Sequence, residues 1–205
     1  GGGALSRVAR TLGLHRAKRK CKVHSGFNED WKSVREEVVK AVLQIRAAHP
    51  SAEVHVTGHS LGGALALLCA AQLSRSLNST EVRLVTFGEP RVGNVFFAEF
   101  INQRLPLAIR LVHQDDVVPH LPPNGRSVLL LTDFRHHATE VWQTGSKDDT
   151  FVPCDSSGED PKCSNSLPRW DRSVEAHRWY LGEHMGCINV PNKRGSRRAR
   201  PPLEA

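Results

Sequence analysis

Long apolar runs are missing from this chain of 205 residues. No stretch approaches the roughly 18 uninterrupted apolar residues that mark a membrane-spanning helix. The opening stretch, GGGALSRVARTLGLHRAKRK, holds no apolar block of signal-peptide length, so it gives no sign of secretion. Internal repeats are missing as well. The phosphate-cradling pattern G-x-x-x-x-G-K-[ST] does not occur. Aromatic residues make up only 6% of the chain, too few to point to a substrate.

Acid is missing from one end. Residues 1–22 hold seven Lys/Arg and no Asp or Glu, and residues 193–205 hold five Lys/Arg and one Glu. The tails therefore sum to +11. Residues 23–192 sum to 16 − 20 = −4, so the net charge of +7 does not describe the body of the protein. Terminal charge runs of this kind are solvated tails more often than binding faces. Nucleic-acid binding would want a basic face on a fold with base-reading side chains, and is not expected. The expected organisation is a basic tail over 1–20, one domain over 21–190 and a basic tail over 191–205.

Cysteine is scarce and odd in number: Cys21, Cys69, Cys154, Cys163 and Cys187. At least one of the five is unpaired or pairs outside the chain. Cys69 lies in an apolar helical pattern and reads as a small buried hydrophobe. Cys154 and Cys163 flank DSSGEDPK, a polar loop where a disulfide would restrict the unfolded chain and suit an extracellular setting. Asn78, in NST, is a weak glycosylation signal.

What is present is an alternation of strands and helices. A helix is expected from an N-cap at Asn28 to about Ala48, with Trp31, Val34, Val38, Val42 and Ile45 on one face. A strand follows at 53–57 and a helix over 61–77. EVRLVTF, LAIRLVH, SVLLLT and ATEVWQT read as further strands, the last two antiparallel across DFRHH, and NVFFAEFINQ as a helix. Residues 144–169 read as a polar loop, and WDRSVEAHRWYLGEH as a closing helix. This order means an α/β fold around a mainly parallel sheet with flanking helices.

At residues 56–63, VTGHSLGG, a strand meets a helix at Gly58-His59-Ser60-Leu61-Gly62. G-x-S-x-G in that context is a nucleophile elbow. A sharp turn lifts Ser60 out of the sheet, and the flanking glycines give room for the strained backbone. The helix that follows aims its N-terminal N–H groups at the site, so the Leu61 N–H is a candidate oxyanion donor. The bland alternative is a glycine-rich turn with an inert serine.

An activated serine needs a base, and the base needs an acid that orients it. Asp115 and Asp116 directly follow the strand LAIRLVH, where the acid of this chemistry sits, and one of them is the candidate. The candidate bases are His120, His136, His137, His177 and His184. His136 and His137 fall between two expected strands and read as a surface turn. His177 follows a long loop at the last helical segment, which is where the base belongs.

These residues carry a resemblance. KVHSGF (22–27), VTGHSLGGALA (56–66), TFGEPRVGN (86–94), VHQDDVVPHLPP (112–123) and AHRWYLG (176–182) occur in the order found in the class 3 fungal-type lipases. That family includes triacylglycerol lipases and feruloyl esterases. The resemblance implies an α/β-hydrolase fold, ester hydrolysis through an acyl-enzyme, and no metal or organic cofactor. It implies Ser60 as nucleophile, His177 as base, Asp116 rather than Asp115 as acid, and a Cys154–Cys163 disulfide. It further implies a carboxylic ester substrate such as an acylglycerol, contact with a lipid interface and an extracellular location.

The chain departs from the family ahead of Cys21, where relatives carry early strands, a lid and an R-G-T-like stretch that supplies the second oxyanion donor. The expectation is an N-terminally truncated family member. The strand EVHVT would then stand at an open sheet edge. Loss of one oxyanion donor would lower the rate by about 10²–10³. Three functions compete: a serine ester hydrolase, a catalytically impaired remnant of the lipase fold, and a binding module whose basic tails touch anionic lipid or polyanions.

Overall fold

The computed structural model describes residues 20–77, 81–124, 133–145 and 150–186. Outside them lie the two expected tails apart from Lys20, the Asn78 acceptor, the strand expected at 127–132, and Cys187.

The described elements run α1 (Ser25–Ala48), β1 (Val54–His59), α2 (Leu61–Leu73), β2 (Val82–Phe87), β3 (Gly93–Asn94), α3 (Val95–Arg104), β4 (Ala108–His113), β5 (Phe134–Arg135), β6 (Glu140–Gln143), β7 (Phe151–Pro153), α4 (Val174–His177), β8 (Trp179–Tyr180) and β9 (Glu183–His184). The main sheet has the order β1-β2-β4-β6-β7. Its first four strands are parallel, and β7 runs antiparallel to β6. In register, Val56 faces Leu84, Leu84 faces Ala108, and Leu111 faces Val141. Among the described residues β1 is an outer strand, with His55 and Thr57 exposed.

α2 is apolar all round because it is covered all round. Its residues Ala64, Ala66, Leu67, Leu68, Cys69, Ala70, Ala71 and Leu73 are buried between α1 and the strands β1 and β2. Cys69 is thus the buried hydrophobe expected, and burial pushes its thiol up to about 11. α2 stops at Leu73 rather than 77. The Ser74 hydroxyl donates to the Ala71 carbonyl at 3.0 Å, and the chain turns.

α1 begins three residues before the expected Asn28 N-cap. Val23 bridges to Gly93 and the His24 N–H donates to Val92, so the chain is already anchored at His24, whose carbonyl accepts from Asn28 in the first turn. Trp31 is the anchor of α1 in the core, while Val34 and Ile45 on the same helix are 43% and 61% exposed.

Three expectations are corrected further on. DFRHH is not a hairpin turn: Phe134–Arg135 pairs with Gly93–Asn94, and His136 and His137 are buried. β6 pairs with β4 and with β7, which interrupts the loop expected over 144–169. The closing segment is not one helix. It forms a single turn, α4, then a hairpin of β8 and β9 across Leu181 and Gly182, both at positive φ. Trp and Tyr at 179–180 favour strand, and the Leu-Gly pair makes the turn.

Candidate active site

Ser60 sits between the last residue of β1 and the first of α2, at φ 57° and ψ −128°. A non-glycine residue at positive φ costs on the order of 1–3 kcal/mol and persists only where its surroundings enforce it. Here the Ser60 N–H donates to the Phe87 carbonyl at 2.9 Å, and the Ser60 carbonyl accepts from Gly63 at 2.9 Å. Gly58 is required by space. A Cβ there would lie 2.1 Å from the Gly62 carbonyl oxygen. Gly63 brings α2 against Glu89, since a Cβ on it would sit 3.3 Å from the Glu89 Cβ. Gly62 corrects the reading that both flanking glycines serve the turn: a Cβ there meets nothing within 4 Å. Leu61 opens α2, so its N–H is one of the helix-end donors without an intrahelical acceptor.

Asp116 is fully buried after the end of β4. Its Oδ1 accepts from the Val118 N–H at 2.8 Å. Its Oδ2 accepts from His177 Nδ1 at 2.8 Å and from the Tyr180 hydroxyl. Burial first, and the Asp116 carboxylate next, push Tyr180 well above the usual range, so it stays a donor. Asp115 takes another part: its carbonyl accepts from the Ser173 N–H at 2.9 Å, which ties the acid loop to the start of α4.

The other candidate bases are placed elsewhere. His136 Nε2 donates to the Pro119 carbonyl at 2.6 Å, and His137 stands 3.4 Å from Glu89. Burial, then Arg172 and Arg91, lower His120 to about 4. His184 packs edge-on against Trp179 at the hairpin. Among the described residues, His177 is the candidate base that meets a candidate acid.

Several residues packed around this pair carry no signal in the spacing of the sequence. Gly88, at φ +58°, lies so close that a Cβ would be 2.8 Å from Asp116 Oδ2 and 2.9 Å from His177 Nδ1. It directly follows Phe87, the acceptor of the Ser60 N–H, so the end of β2 holds the elbow and the Asp–His pair at adjacent residues. Tyr180, His59 and His113 also converge here, with ring centroids of 5.6 Å for His59–Tyr180 and 5.7 Å for His113–Tyr180. The block AHRWYLG and the Gly of TFGEP are visible in sequence, but only contacts reveal their parts.

One described group offers three ligand atoms close together, Glu140 with Cys154 and Cys163. The two sulfurs are joined in a disulfide with Cα atoms 6.0 Å apart, which removes them as thiolate donors. This is the pairing the family resemblance implied.

Residues 6–125 match the family described as Lipase (class 3). The chain belongs to the class 3 lipase family. It is 40% identical over 169 residues to a lipase of Rhizomucor miehei, a match covering 80% of this chain and 44% of that protein. It is 42% identical over 125 residues to secreted mono- and diacylglycerol lipase 1 of Fusarium solani, covering 61% of this chain and 35% of the relative. The solved triacylglyceride lipase of Rhizomucor miehei superposes with a TM-score of 0.73 at 39% identity, over 81% of this chain and 61% of that one. A triacylglycerol lipase whose catalytic centre is formed by a serine protease triad matches with the same TM-score at 40% identity. The chain spans about half or less of the length of these curated relatives. Its fold is that of the α/β-hydrolases, a mainly parallel sheet with flanking helices.

Proposed function

We propose that this class 3 lipase family chain is a serine ester hydrolase acting through an acyl-enzyme. One observation carries the reading: the strained Ser60 elbow and the Asp116–His177 pair meet the end of β2 at adjacent residues, the elbow bonded to the Phe87 carbonyl and the pair packed against Gly88. His177 Nδ1 donates to Asp116, which leaves Nε2 free of a proton in the neutral ring. Nε2 then accepts the proton of Ser60 Oγ as that oxygen bonds to the ester carbonyl carbon. The carbonyl electron pair moves to oxygen, where the Leu61 N–H at the start of α2 stabilises it. Collapse expels the alcohol, which takes the proton from Nε2. Water repeats the sequence on the acyl-enzyme and returns free Ser60.

The substrate class is a carboxylic ester, with acylglycerols favoured by the mono- and diacylglycerol and triacylglyceride relatives. The secreted relative supports an extracellular location, and a similar fungal lipase solved with an inhibitor as a model for interfacial activation supports work at a lipid interface. A second reading, reduced turnover on the same fold, draws on the outer position of β1, beside the elbow, among the described residues.

A fluorophosphonate probe tests the proposal. Labelling of the full chain, lost in Ser60→Ala, is the expected result, together with hydrolysis of a short-chain p-nitrophenyl ester. Removal of the nucleophile should lower kcat by on the order of 10⁴–10⁶. A folded chain that neither labels nor hydrolyses would leave the remnant reading.

A further inference from the structure

His177 stands on a weak platform. α4 is one turn of four residues, too short to hold itself in water. Its N-terminal end is capped by the Ser173 hydroxyl, which accepts from the Ala176 N–H at 3.0 Å. Its C-terminal carbonyls point to two histidines from the sheet. His59 Nε2 lies 2.8 Å from the His177 carbonyl oxygen, and His113 Nδ1 lies 2.9 Å from the Ala176 carbonyl oxygen. A carbonyl only accepts, so both ring nitrogens carry protons: His59 is protonated on Nε2 and His113 on Nδ1. The Arg178 N–H also reaches Ala176, whereas His59 is the side-chain donor to His177.

We infer that His59 and His113 form a clamp that positions the catalytic base, by donating to successive carbonyls of the turn that carries His177. The inference rests on the reading of His177 as the base. The two clamps come from the last residues of β1 and β4, the strands on either side of β2. The sheet thus grips the base turn from both sides of β2, whose Phe87 carbonyl accepts the Ser60 N–H. His59 does more, because it is the residue before Ser60. The backbone that sets the nucleophile also sets the base, without a loop in between. Its ring lies on the His177 ring, with centroids 4.4 Å apart and planes 30° apart. Burial lowers the His59 pKa, with a smaller opposing pull from its bond to the His177 carbonyl, so it is neutral beside an imidazole that turns cationic during the reaction. Both histidines are positioning residues. Neither touches the reacting atoms.

His59→Phe keeps a flat ring against His177 and removes the N–H. In the full chain kcat for a p-nitrophenyl ester is expected to fall by about 10–100-fold, the scale of a misplacement of about 1 Å. KM should stay within about twofold, because ground-state binding is untouched. His59→Gln, which can still donate, should recover most of the loss. His113→Phe carries the same prediction through Ala176 and stands in if His59→Phe does not fold. Proton NMR supplies a readout independent of turnover: the low-field Nδ1–H resonance of His177 bonded to Asp116 should broaden or vanish in the folded Phe variants. An unchanged resonance in them, or a kcat within about twofold of the unsubstituted chain, overturns the clamp. Absence of probe labelling in the unsubstituted chain overturns the hydrolase proposal instead, and the resonance alone then decides the clamp.

Discussion

Gly88 shows how a single missing Cβ can matter more than a polar group. Its φ of +58° is a conformation that costs an L-residue about 1–2 kcal/mol, and a Cβ there would crowd both ends of the Asp116–His177 hydrogen bond, 2.8 Å from Oδ2 and 2.9 Å from Nδ1. Gly88→Ala is therefore expected to keep the fold, to lower stability by about 1–2 kcal/mol, and to slow fluorophosphonate labelling by about 100-fold or more as the pair is pushed apart. Thermal unfolding and labelling rates measured on the same sample check both parts. Labelling at the rate of the unsubstituted chain would mean that the pair does not serve Ser60. At this scale the sequence was legible where a motif marks a residue type at a fixed place: the elbow at Ser60 and, through the family resemblance, Asp116 and His177, which the fold brings into hydrogen-bond contact. It was silent where a residue acts by contact. Nothing in the spacing of His59, His113 or Tyr180 foretells that their rings meet around His177, because their strands lie far apart in the chain and come together only in the fold.

Elements were legible where one period dominated. The strand before Ser60 and the helix after it follow from apolar alternation giving way to an Ala/Leu run, and the parallel sheet from short apolar strands split by helices. The misreadings fall where local preference and tertiary pairing compete. DFRHH looks like a turn, yet Phe134 pairs with Asn94, and His136 and His137 are drawn inside by backbone acceptors and by Glu89. The segment after Cys154 reads as polar and exposed, yet Glu159 forms a two-pronged ion pair with Arg91 at 2.7 Å for each contact, and the Gly158 carbonyl accepts from buried Arg110. This loop is a packed element, and the Cys154–Cys163 bond closes it at a sequence separation of 9. Replacing both cysteines by serine should lower unfolding free energy by about 2–3 kcal/mol, the loop-closure entropy of a ring this size. Denaturant melts of the two forms provide the check. A loss of only a few tenths would show that the ion pair and backbone bonds already order the loop without its covalent closure.

The whole molecule stores neutral and ionised groups in ways that set its pH range. His120, lowered to about 4, and His136, lowered by complete burial, are held neutral in the fold, while the unfolded chain takes up protons on both near 6.5. Unfolded chains thus bind more protons than folded ones below that value, so stability present above it is lost as pH falls toward 4. Tyr180 works in the opposite sense. Its folded pKa is raised, by burial and by Asp116, so it keeps its proton after an unfolded tyrosine gives one up near 10. The stability this contributes is full below that pH and is lost as pH rises further. Cys69, raised to about 11 by burial, acts in the same sense from the ordinary thiol value of about 8.5 upward. Unfolding free energy should therefore form a plateau from about 7 to 8.5 and fall on both sides. Tyr180→Phe removes the part of the alkaline limb that begins near pH 10 and leaves the Cys69 part and the acid limb in place, whereas loss of its hydrogen bond to a carboxylate lowers the plateau by about 1.5–3 kcal/mol. Calorimetric unfolding across pH 4–11 separates the two effects, since one changes the shape of the curve and the other its height. A fall above pH 10 that keeps its slope in Tyr180→Phe would mean that Tyr180 does not hold its proton there, and the Asp116 carboxylate would then lack the neutral donor that its geometry with Tyr180 requires.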